Sequence, residues 1–167
     1  MMLSIVTTLY KSAPYIEEFH RRISEEAKKV ADDYEIIMVD DGSPDDSLEI
    51  ALKLVDRDPR LRVIELSRNY GHHKAMMTGL EHAGGERVFL IDVDLEEPPE
   101  LLGQFSEAML KGDWDVVYGY QKQRKGKWFE RYSGAFAWRL INLMLPIDVP
   151  HNHSTVRLMT RAYTRAL

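Results

Sequence analysis

Hydrophobic and polar positions along the first 119 residues follow a pattern that predicts strands and helices in turn. Short runs rich in β-branched and aromatic residues predict five strands, at residues 3–8, 34–39, 61–66, 87–91 and 114–118. Apolar residues three and four positions apart predict a first helix that has Pro14 in its first turn and reaches residue 30, helices at 45–55 and 74–83, and a fourth that begins at Pro98. We expect Ser12 to cap the first helix. This alternation is typical of an α/β fold, a mostly parallel sheet with helices on both faces.

Composition excludes several classes of protein. The 167 residues contain no cysteine, which excludes a disulfide scaffold, a thiolate metal site and a cysteine nucleophile. No apolar run reaches the ~18 residues that cross a bilayer, and the first residues lack the basic start of a signal peptide. We therefore expect one domain in the cytoplasm.

Charge is unevenly distributed. Residues 1–119 carry 13 Lys and Arg against 25 Asp and Glu, a net charge of −12, whereas residues 120–167 carry 9 against 2, a net charge of +7. The basic residues precede a predicted helix at 128–145 that is rich in aromatic side chains. Aromatic rings beside cations favour an anionic membrane surface, and an ordinary helix packed on the sheet is the alternative. The acidic body argues against nucleic acid as a partner.

Two acidic clusters follow directly after predicted strands. Asp40 and Asp41 begin a turn after the second strand, and Asp92 and Asp94 follow the fourth. Since residues i and i+2 of a strand point to the same side, we expect Asp92 and Asp94 to converge at the edge where such sheets bind ligands. Mg²⁺ and Mn²⁺ prefer carboxylate and phosphate oxygens, so the pattern favours a cation beside a phosphate-bearing ligand. Solvated acidic turns are the alternative.

Cations and histidines follow the third predicted strand. Arg68 and Lys74 have the chemistry to meet phosphate, and Gly71 lets the backbone come close to a ligand. Surface cations without a ligand are the more common case. His72 and His73 are weaker candidates for metal ligands, because adjacent side chains point in different directions.

Four segments resemble the family 2 glycosyltransferases with the GT-A fold. They are YEIIMVDDGSPDDSLEI, LSRNYGHHKAMMTGLEHA, DVDLEEPPEL and DVVYGYQKQRKGKW, in this order along nearly the whole chain. The chain is most similar to the polyprenyl-phosphate branch, which includes dolichol-phosphate mannose synthase. The resemblance implies a Rossmann-like GT-A domain in which residues 1–119 bind a nucleoside-diphosphate sugar and residues 120–167 face the acceptor.

The resemblance implies a nucleoside site after the first two strands. Thr8, Leu9 and Tyr10 would surround the base and the ribose. Asp41 would contact the base, with Asp40 beside it.

The resemblance also implies a metal and phosphate site. Asp92 and Asp94 would hold Mg²⁺ or Mn²⁺ against the diphosphate, with Asp94 as the more direct ligand. The cation would offset the charge that builds on the leaving nucleoside diphosphate. Arg68, Lys74 and Arg124 would add phosphate contacts.

The chain departs from the family pattern at three places. Lys11 stands where the family has Asn, and Glu96-Glu97 replaces Gln-Asp. Thr155 stands where relatives carry the Asp of a Gly-Asp-Phe-Arg-Leu segment, the expected base or acceptor-site residue, while Arg157 is retained as a catalytic candidate.

The missing carboxylate bears on the acceptor. A phosphate monoester has a second pKa near about 6, so at neutral pH it is mostly a dianion that attacks without a base. A sugar hydroxyl needs a base, which His151 or His153 would have a suitable pKa to supply. Histidines that merely line a loop are the alternative.

We therefore predict an inverting, metal-dependent glycosyltransferase that uses a polyprenyl phosphate or lipid-linked acceptor at the cytoplasmic face of a membrane. Transfer to a saccharide hydroxyl of a cell-surface polysaccharide, or a binding module without turnover, are the alternatives. A nucleotidyltransferase is disfavoured, because no Gly-rich, Lys-containing loop follows the first strand. Homo-oligomerisation stays open. Because relatives often continue into membrane-associated helices, we expect this chain to be a catalytic core.

Overall fold

The computed structural model describes residues 1–112, 114–120 and 153–167. Its strands are β1 (Met2–Leu9), β2 (Asp33–Asp40), β3 (Leu61–Glu65), β4 (Arg87–Leu90), β5 (Val116–Tyr120) and β6 (His153–Thr160). They form a single sheet in the order β3-β2-β1-β4-β6-β5. β1 pairs in parallel with β2 and β4, and β2 pairs in parallel with β3. β6 runs antiparallel to β4, so the sheet is mixed.

Helices cover both faces of this sheet. α1 (Ile16–Val30), α2 (Ser47–Val55) and α4 (Leu101–Lys111) pack into one apolar cluster, which includes Phe19, Phe89 and Phe105. α3 (His72–His82) contributes Leu80 to the other cluster, which also contains Val6 of β1. α5 (Arg161–Thr164) follows β6. Because β1 lies between the two clusters, it is buried from its second residue to its last, which explains its continuous apolar run.

The chain divides into two compact units. Residues Met1–Tyr118 and Thr155–Leu167 form the first, and residues Gly119–Ser154 form the second. The second unit lies almost wholly outside the described residues. The division of function between residues 1–119, which would bind the donor, and residues 120–167, which would face the acceptor, stays a prediction. In the part of the chain that the structure describes, no helix combines the length and the hydropathy that crossing a membrane requires.

The predicted alternation of strands and helices is confirmed, with element ends that differ by up to three residues. The predicted cap of the first helix is wrong, because α1 begins at Ile16 with Tyr15 before it. Ser12 instead accepts a hydrogen bond from the Tyr10 backbone N–H at 3.0 Å. β6 was not predicted, and it adds the antiparallel strand to the sheet.

α3 packs closely on β1 at Gly79, where a Cβ would overlap Cγ1 of Val6 and lie 3.1 Å from Cγ2 of Val39. We expect Gly79→Ala to lower the free energy of unfolding by about 1–2 kcal/mol, because overpacking outweighs the gain in helix propensity. Gly103 in α4 is the control, since its nearest neighbour would be 3.9 Å away at Glu26 Oε2. Gly103→Ala should raise the free energy of unfolding by up to about 1 kcal/mol. Urea unfolding measures both, and equal gains would contradict the close packing.

Candidate functional site

Two neighbouring cavities open at the carboxyl ends of β1, β2 and β4. Their volumes are about 140 Å³ and about 180 Å³, and both are lined by Thr8, Tyr10 and His72. The smaller one is completed by Leu9, Asp41, Asn69 and Gly71. The larger one is completed by Lys11, Ser12, Tyr15, Asp92, Val93 and Asp94. Because the cavities share residues, one elongated ligand can reach both acidic clusters.

Asp41 fixes the loop between β3 and α3. It is only 2% exposed, and its Oδ1 and Oδ2 accept hydrogen bonds from the backbone N–H groups of Tyr70 at 2.7 Å and Gly71 at 3.0 Å. Gly42 allows this loop to come close, since its φ is +65° and a Cβ there would lie 2.6 Å from the Asn69 nitrogen. Each carboxylate oxygen has two lone pairs, so Asp41 can hold the loop and still face a ligand in the smaller cavity.

Asp40 is buried and lines neither cavity. It is 2% exposed, and its Oδ2 accepts a hydrogen bond from the Ser43 backbone N–H at 3.2 Å. Its Oδ1 and the Ser43 hydroxyl are buried and have no hydrogen-bond partner among the described residues. Asp40 therefore supports the turn after β2, and its place beside the nucleoside stays a prediction.

The loop after β1 is braced against the start of α2. The Ser12 backbone N–H donates to Ser47 Oγ at 2.9 Å, and the Ser47 hydroxyl donates to Asp45 at 2.6 Å. Burial raises the pKa of Asp45, but hydrogen bonds from Ser47 and from backbone N–H groups outweigh it and lower the pKa overall. Lys11 has a φ of 56°, a conformation that Asn adopts more readily than Lys. This backbone preference gives a reason for the Asn that the resemblance places here.

Asp92 and Asp94 both line the larger cavity, although the strand before them is shorter than predicted. β4 ends at Leu90, so the turn after the strand sets the direction of the two carboxylates. Asp92 is half-buried, whereas Asp94 is exposed and accepts a hydrogen bond at Oδ1 from the Glu96 backbone N–H at 3.0 Å. One carboxylate is therefore sheltered while the other reaches outward.

Burial and neighbouring like charges both disfavour the ionised form of the Asp92 carboxyl group. Burial raises the pKa of Asp92 above its ordinary value, and the carboxylates of Asp94 and Glu97 raise it further. His72 and a hydrogen-bonding interaction with Thr155 oppose this rise. A divalent cation would relieve the repulsion, because an opposite charge favours the ionised form.

The donor set fits Mg²⁺ or Mn²⁺. Within the described ranges, no group of three or more His, Asp or Glu side chains is arranged to hold a metal ion. Mg²⁺ usually takes one or two carboxylates from a protein and completes its shell with water and substrate phosphate. Asp92 and Asp94 supply that number of hard oxygen ligands on one cavity wall.

Three predicted cationic residues lie outside the walls of these two cavities. The guanidinium of Arg68 stacks 4.8 Å from the ring centroid of Tyr70, and Lys74 is exposed in the first turn of α3. Arg157 Nε donates a hydrogen bond to the Thr155 backbone oxygen at 3.1 Å. The described part of the site therefore brings Asp41, Asp92 and Asp94 to the cavity walls, whereas these three cations are not part of the walls.

Two further predicted residues cannot be placed in the site. Arg124 lies outside the described residues, and so does the side chain of His153, whose backbone begins β6. Their catalytic roles stay predictions.

His72 makes contacts that the sequence did not predict, whereas its weaker candidacy as a metal ligand stays a prediction. Its Nδ1 lies 3.0 Å from Thr8 Oγ1, and its Nε2 lies 3.5 Å from Asp92 Oδ1. The available signal was its position, directly after Gly71 at the start of a helix on the ligand-binding edge. The distance along the chain to Thr8 and Asp92 concealed the contact.

Comparison with known proteins decides the family. The model of Glycosyl transferase family 2 matches residues 4–167. The chain belongs to glycosyl transferase family 2. It is 52% identical over its whole length to a Mycobacterium tuberculosis (strain CDC 1551 / Oshkosh) protein that carries only a general glycosyltransferase name, and it covers 49% of that protein.

A second relative of this family 2 chain confirms its resemblance to the polyprenyl-phosphate branch. The undecaprenyl-phosphate 4-deoxy-4-formamido-L-arabinose transferase of Edwardsiella ictaluri (strain 93-146) is 36% identical over 96% of the chain. The match covers 48% of that protein. The chain thus spans about half the length of the curated relatives it matches.

A solved structure confirms the predicted GT-A fold. The mannosyltransferase PcManGT from Pyrobaculum calidifontis, in complex with GDP-Man and Mn²⁺, matches with a TM-score of 0.68 at 21% identity. The match covers 98% of this family 2 chain and 46% of that protein. At this identity the likeness shows the fold alone.

Proposed function

We propose that this family 2 chain transfers a sugar from a nucleoside diphosphate to a polyprenyl phosphate, with inversion at the anomeric carbon. One observation carries the proposal. Asp41 after β2 and the Asp92–Asp94 pair after β4 line two cavities that share Thr8, Tyr10 and His72, so the nucleoside and the diphosphate of a nucleotide sugar can be held at once. The undecaprenyl-phosphate transferase relative supports a lipid phosphate as acceptor.

The smaller cavity takes the nucleoside in this proposal. Tyr10 offers an aromatic face that is 46% exposed, and Leu9 offers apolar wall. Asp41 offers carboxylate lone pairs to a donor on the base while it holds the loop of Tyr70 and Gly71. Base stacking and hydrogen bonding then position the diphosphate toward Asp94.

The larger cavity takes the diphosphate and the cation. Asp92 and Asp94 would hold Mg²⁺ or Mn²⁺, which when bound offsets the negative charge that develops on the departing diphosphate. The exposed Asp94 reaches toward the ligand, and the half-buried Asp92 anchors the pair. Arg68, Lys74, Arg124 and Arg157 are proposed as further phosphate contacts.

The acceptor supplies its own nucleophile. A phosphate oxygen forms a bond to the anomeric carbon as the bond from that carbon to the donor diphosphate breaks, and the electron pair leaves with the nucleoside diphosphate. The acceptor is mostly a dianion at neutral pH, with a second pKa near about 6, so no protein group has to remove a proton. Thr155 at the position of the family Asp is compatible with this step, whereas a hydroxyl acceptor would need a base such as His153.

The acceptor's chemistry implies a membrane. A polyprenyl chain stays in the bilayer, so transfer would take place at a membrane surface, and we propose the cytoplasmic face. The basic segment around Arg124, followed by aromatic residues, has the composition that anionic surfaces attract, although it lies outside the described residues.

A thermal-shift screen tests the donor site. The correct nucleoside diphosphate, among UDP, GDP, CDP and ADP, should raise the unfolding temperature by about 5–10 °C at a hundredfold excess over its dissociation constant. The rise should need Mn²⁺ or Mg²⁺, because the cation joins the diphosphate to the acidic pair. No shift with any nucleotide and metal would overturn the donor site. Once the screen has identified the donor, an assay that offers undecaprenyl phosphate beside a polysaccharide acceptor would decide between phosphate and hydroxyl.

A further inference from the structure

Three chain segments meet at the imidazole of His72. The residue opens α3, and its Nδ1 lies 3.0 Å from the hydroxyl of Thr8 near the end of β1. Its Nε2 lies 3.5 Å from Oδ1 of Asp92 in the turn after β4. Both ring nitrogens thus face a polar partner, and the ring spans the shared wall of the two cavities.

The start of α3, which carries the His72 ring, is held by contacts of its own. The residue before it, Gly71, donates its backbone N–H to Asp41 at 3.0 Å. Along the same helix, Gly79 packs so closely on Val6 that a Cβ has no room. The start of α3 is therefore fixed against β1 and the turn after β2, so the backbone that carries the imidazole is held in place while 44% of the His72 side chain stays exposed to the cavities and solvent.

The proton positions follow from the two partners. If Nδ1 accepts the proton of the Thr8 hydroxyl, Nε2 carries the ring proton and donates it toward Asp92. A ring nitrogen that donates to a carboxylate fixes the plane and the direction of that carboxylate. The 3.5 Å separation is long for a hydrogen bond, and such contacts often shorten when a ligand binds.

Asp92 needs such a partner more than Asp94 does. Asp92 is 28% exposed in its side chain, and the carboxylates of Asp94 and Glu97 repel its ionised form. Without a donor, repulsion would turn it toward water and away from the cavity. His72 contacts it from α3, and Thr155 interacts with it from β6.

We propose that His72 is a positioning residue, which links Thr8 to Asp92 and holds that carboxylate in the direction that a divalent cation requires. The inference rests on the proposed function, because it assumes that Asp92 and Asp94 share the cation. It assigns His72 no contact with the metal. Outer partners of metal ligands typically change metal affinity or activity by about 10–100-fold when they are removed.

Four variants of the full chain test the link. His72→Ala removes both contacts, and His72→Gln keeps a nitrogen near the place of Nε2. Thr8→Val removes the hydroxyl that holds the far side of the ring. His73→Ala is the matched control, because it removes a neighbouring, likewise exposed imidazole that lines neither of the two cavities.

The measurement is Mn²⁺ affinity by electron paramagnetic resonance, in the presence of whichever of UDP or GDP stabilises the protein. We expect His72→Ala to weaken Mn²⁺ binding by about 10–100-fold, with most of the loss restored in His72→Gln. Thr8→Val should weaken binding less, and should add little in the His72→Ala background because both changes break the same link. His73→Ala should bind Mn²⁺ as the wild type does. Thermal unfolding without ligands should be alike in all four.

Three results would overturn the inference. Unchanged Mn²⁺ affinity in His72→Ala would show that Asp92 needs no such support, and the proposed function would survive. Nitrogen hyperfine coupling on the bound Mn²⁺ that disappears in His72→Ala would make the histidine a ligand instead. Absence of Mn²⁺ binding in the wild type, with every nucleotide, would overturn the proposed function and this inference together.

Discussion

Asp94→Ala is expected to abolish sugar transfer and leave the fold intact. Asp94 is exposed and lines the larger cavity, so its carboxylate can reach the proposed cation site without supporting the core. Loss of one electrostatic stabiliser of the transition state commonly lowers kcat by about 10²–10³-fold, and loss of a direct metal ligand should reach at least that range. The measurement is turnover of the nucleotide sugar that the thermal screen identifies, with undecaprenyl phosphate as acceptor.

Asp94→Asn and Asp56→Ala complete this experiment. The amide of Asp94→Asn can still accept the hydrogen bond from the Glu96 backbone N–H, so the turn is kept while the charge is lost. It should be nearly as inactive as Asp94→Ala. Asp56→Ala removes an exposed carboxylate at the end of α2, away from the cavities, and should turn over normally. Full turnover in Asp94→Ala would exclude Asp94 as a metal ligand.

Gly42→Ala is expected to destabilise the protein and to displace the loop between β3 and α3. At a φ of +65°, Ala is strained, and its Cβ would lie 2.6 Å from the Asn69 nitrogen and 2.7 Å from the Arg68 carbonyl carbon. Both are backbone atoms, so no side chain can rotate to make room. Strain and overpacking together should lower the free energy of unfolding by about 3 kcal/mol. Urea unfolding measures this loss.

Displacement of the loop has a second readout. The backbone N–H of Tyr70 is bound to Asp41, so its hydrogen exchange should accelerate in Gly42→Ala. Gly84→Ala is the loop-glycine control, since its φ is not positive and its Cβ would meet side-chain atoms rather than backbone, Glu35 Oε1 at 3.2 Å and Met2 Cε at 4.0 Å. We expect less than about 1 kcal/mol of loss there. Wild-type exchange at Tyr70 in Gly42→Ala would mean that the loop does not rest on Gly42.

Local pattern was sufficient to predict the first five strands and the helices between them. Each is a continuous buried run or an amphipathic stretch, so burial against the sheet is visible in neighbouring residues. β6 was missed because two adjacent buried residues, Leu158 and Met159, break its alternation and because its partner, β4, is far away in the chain. Pairing over such a distance leaves no trace in the local spacing of residues.

The site was predictable where topology alone decides it. Asp92 and Asp94 follow a strand of a parallel sheet, and the carboxyl edge of such a sheet is where ligands bind. The attachment of Asp41 to Tyr70 was not predictable, because it depends on how closely the loop after β3 approaches Gly42. The contact of His72 with Asp92 depends likewise on how tightly α3 seats on β1.

The late position of β6 has a consequence for synthesis on the ribosome. β6 lies between β4 and β5, and its last residue, Thr160, pairs with Arg87 and donates its backbone N–H to Asp115 at 2.8 Å. At about 5–20 residues per second, translation from the end of β5 to the end of β6 lasts roughly two to eight seconds. During that time β5 has emerged from the ribosome but its neighbour in the sheet has not. The nascent chain therefore carries an unpaired strand that chaperones can bind, and completion of the sheet has to wait for β6.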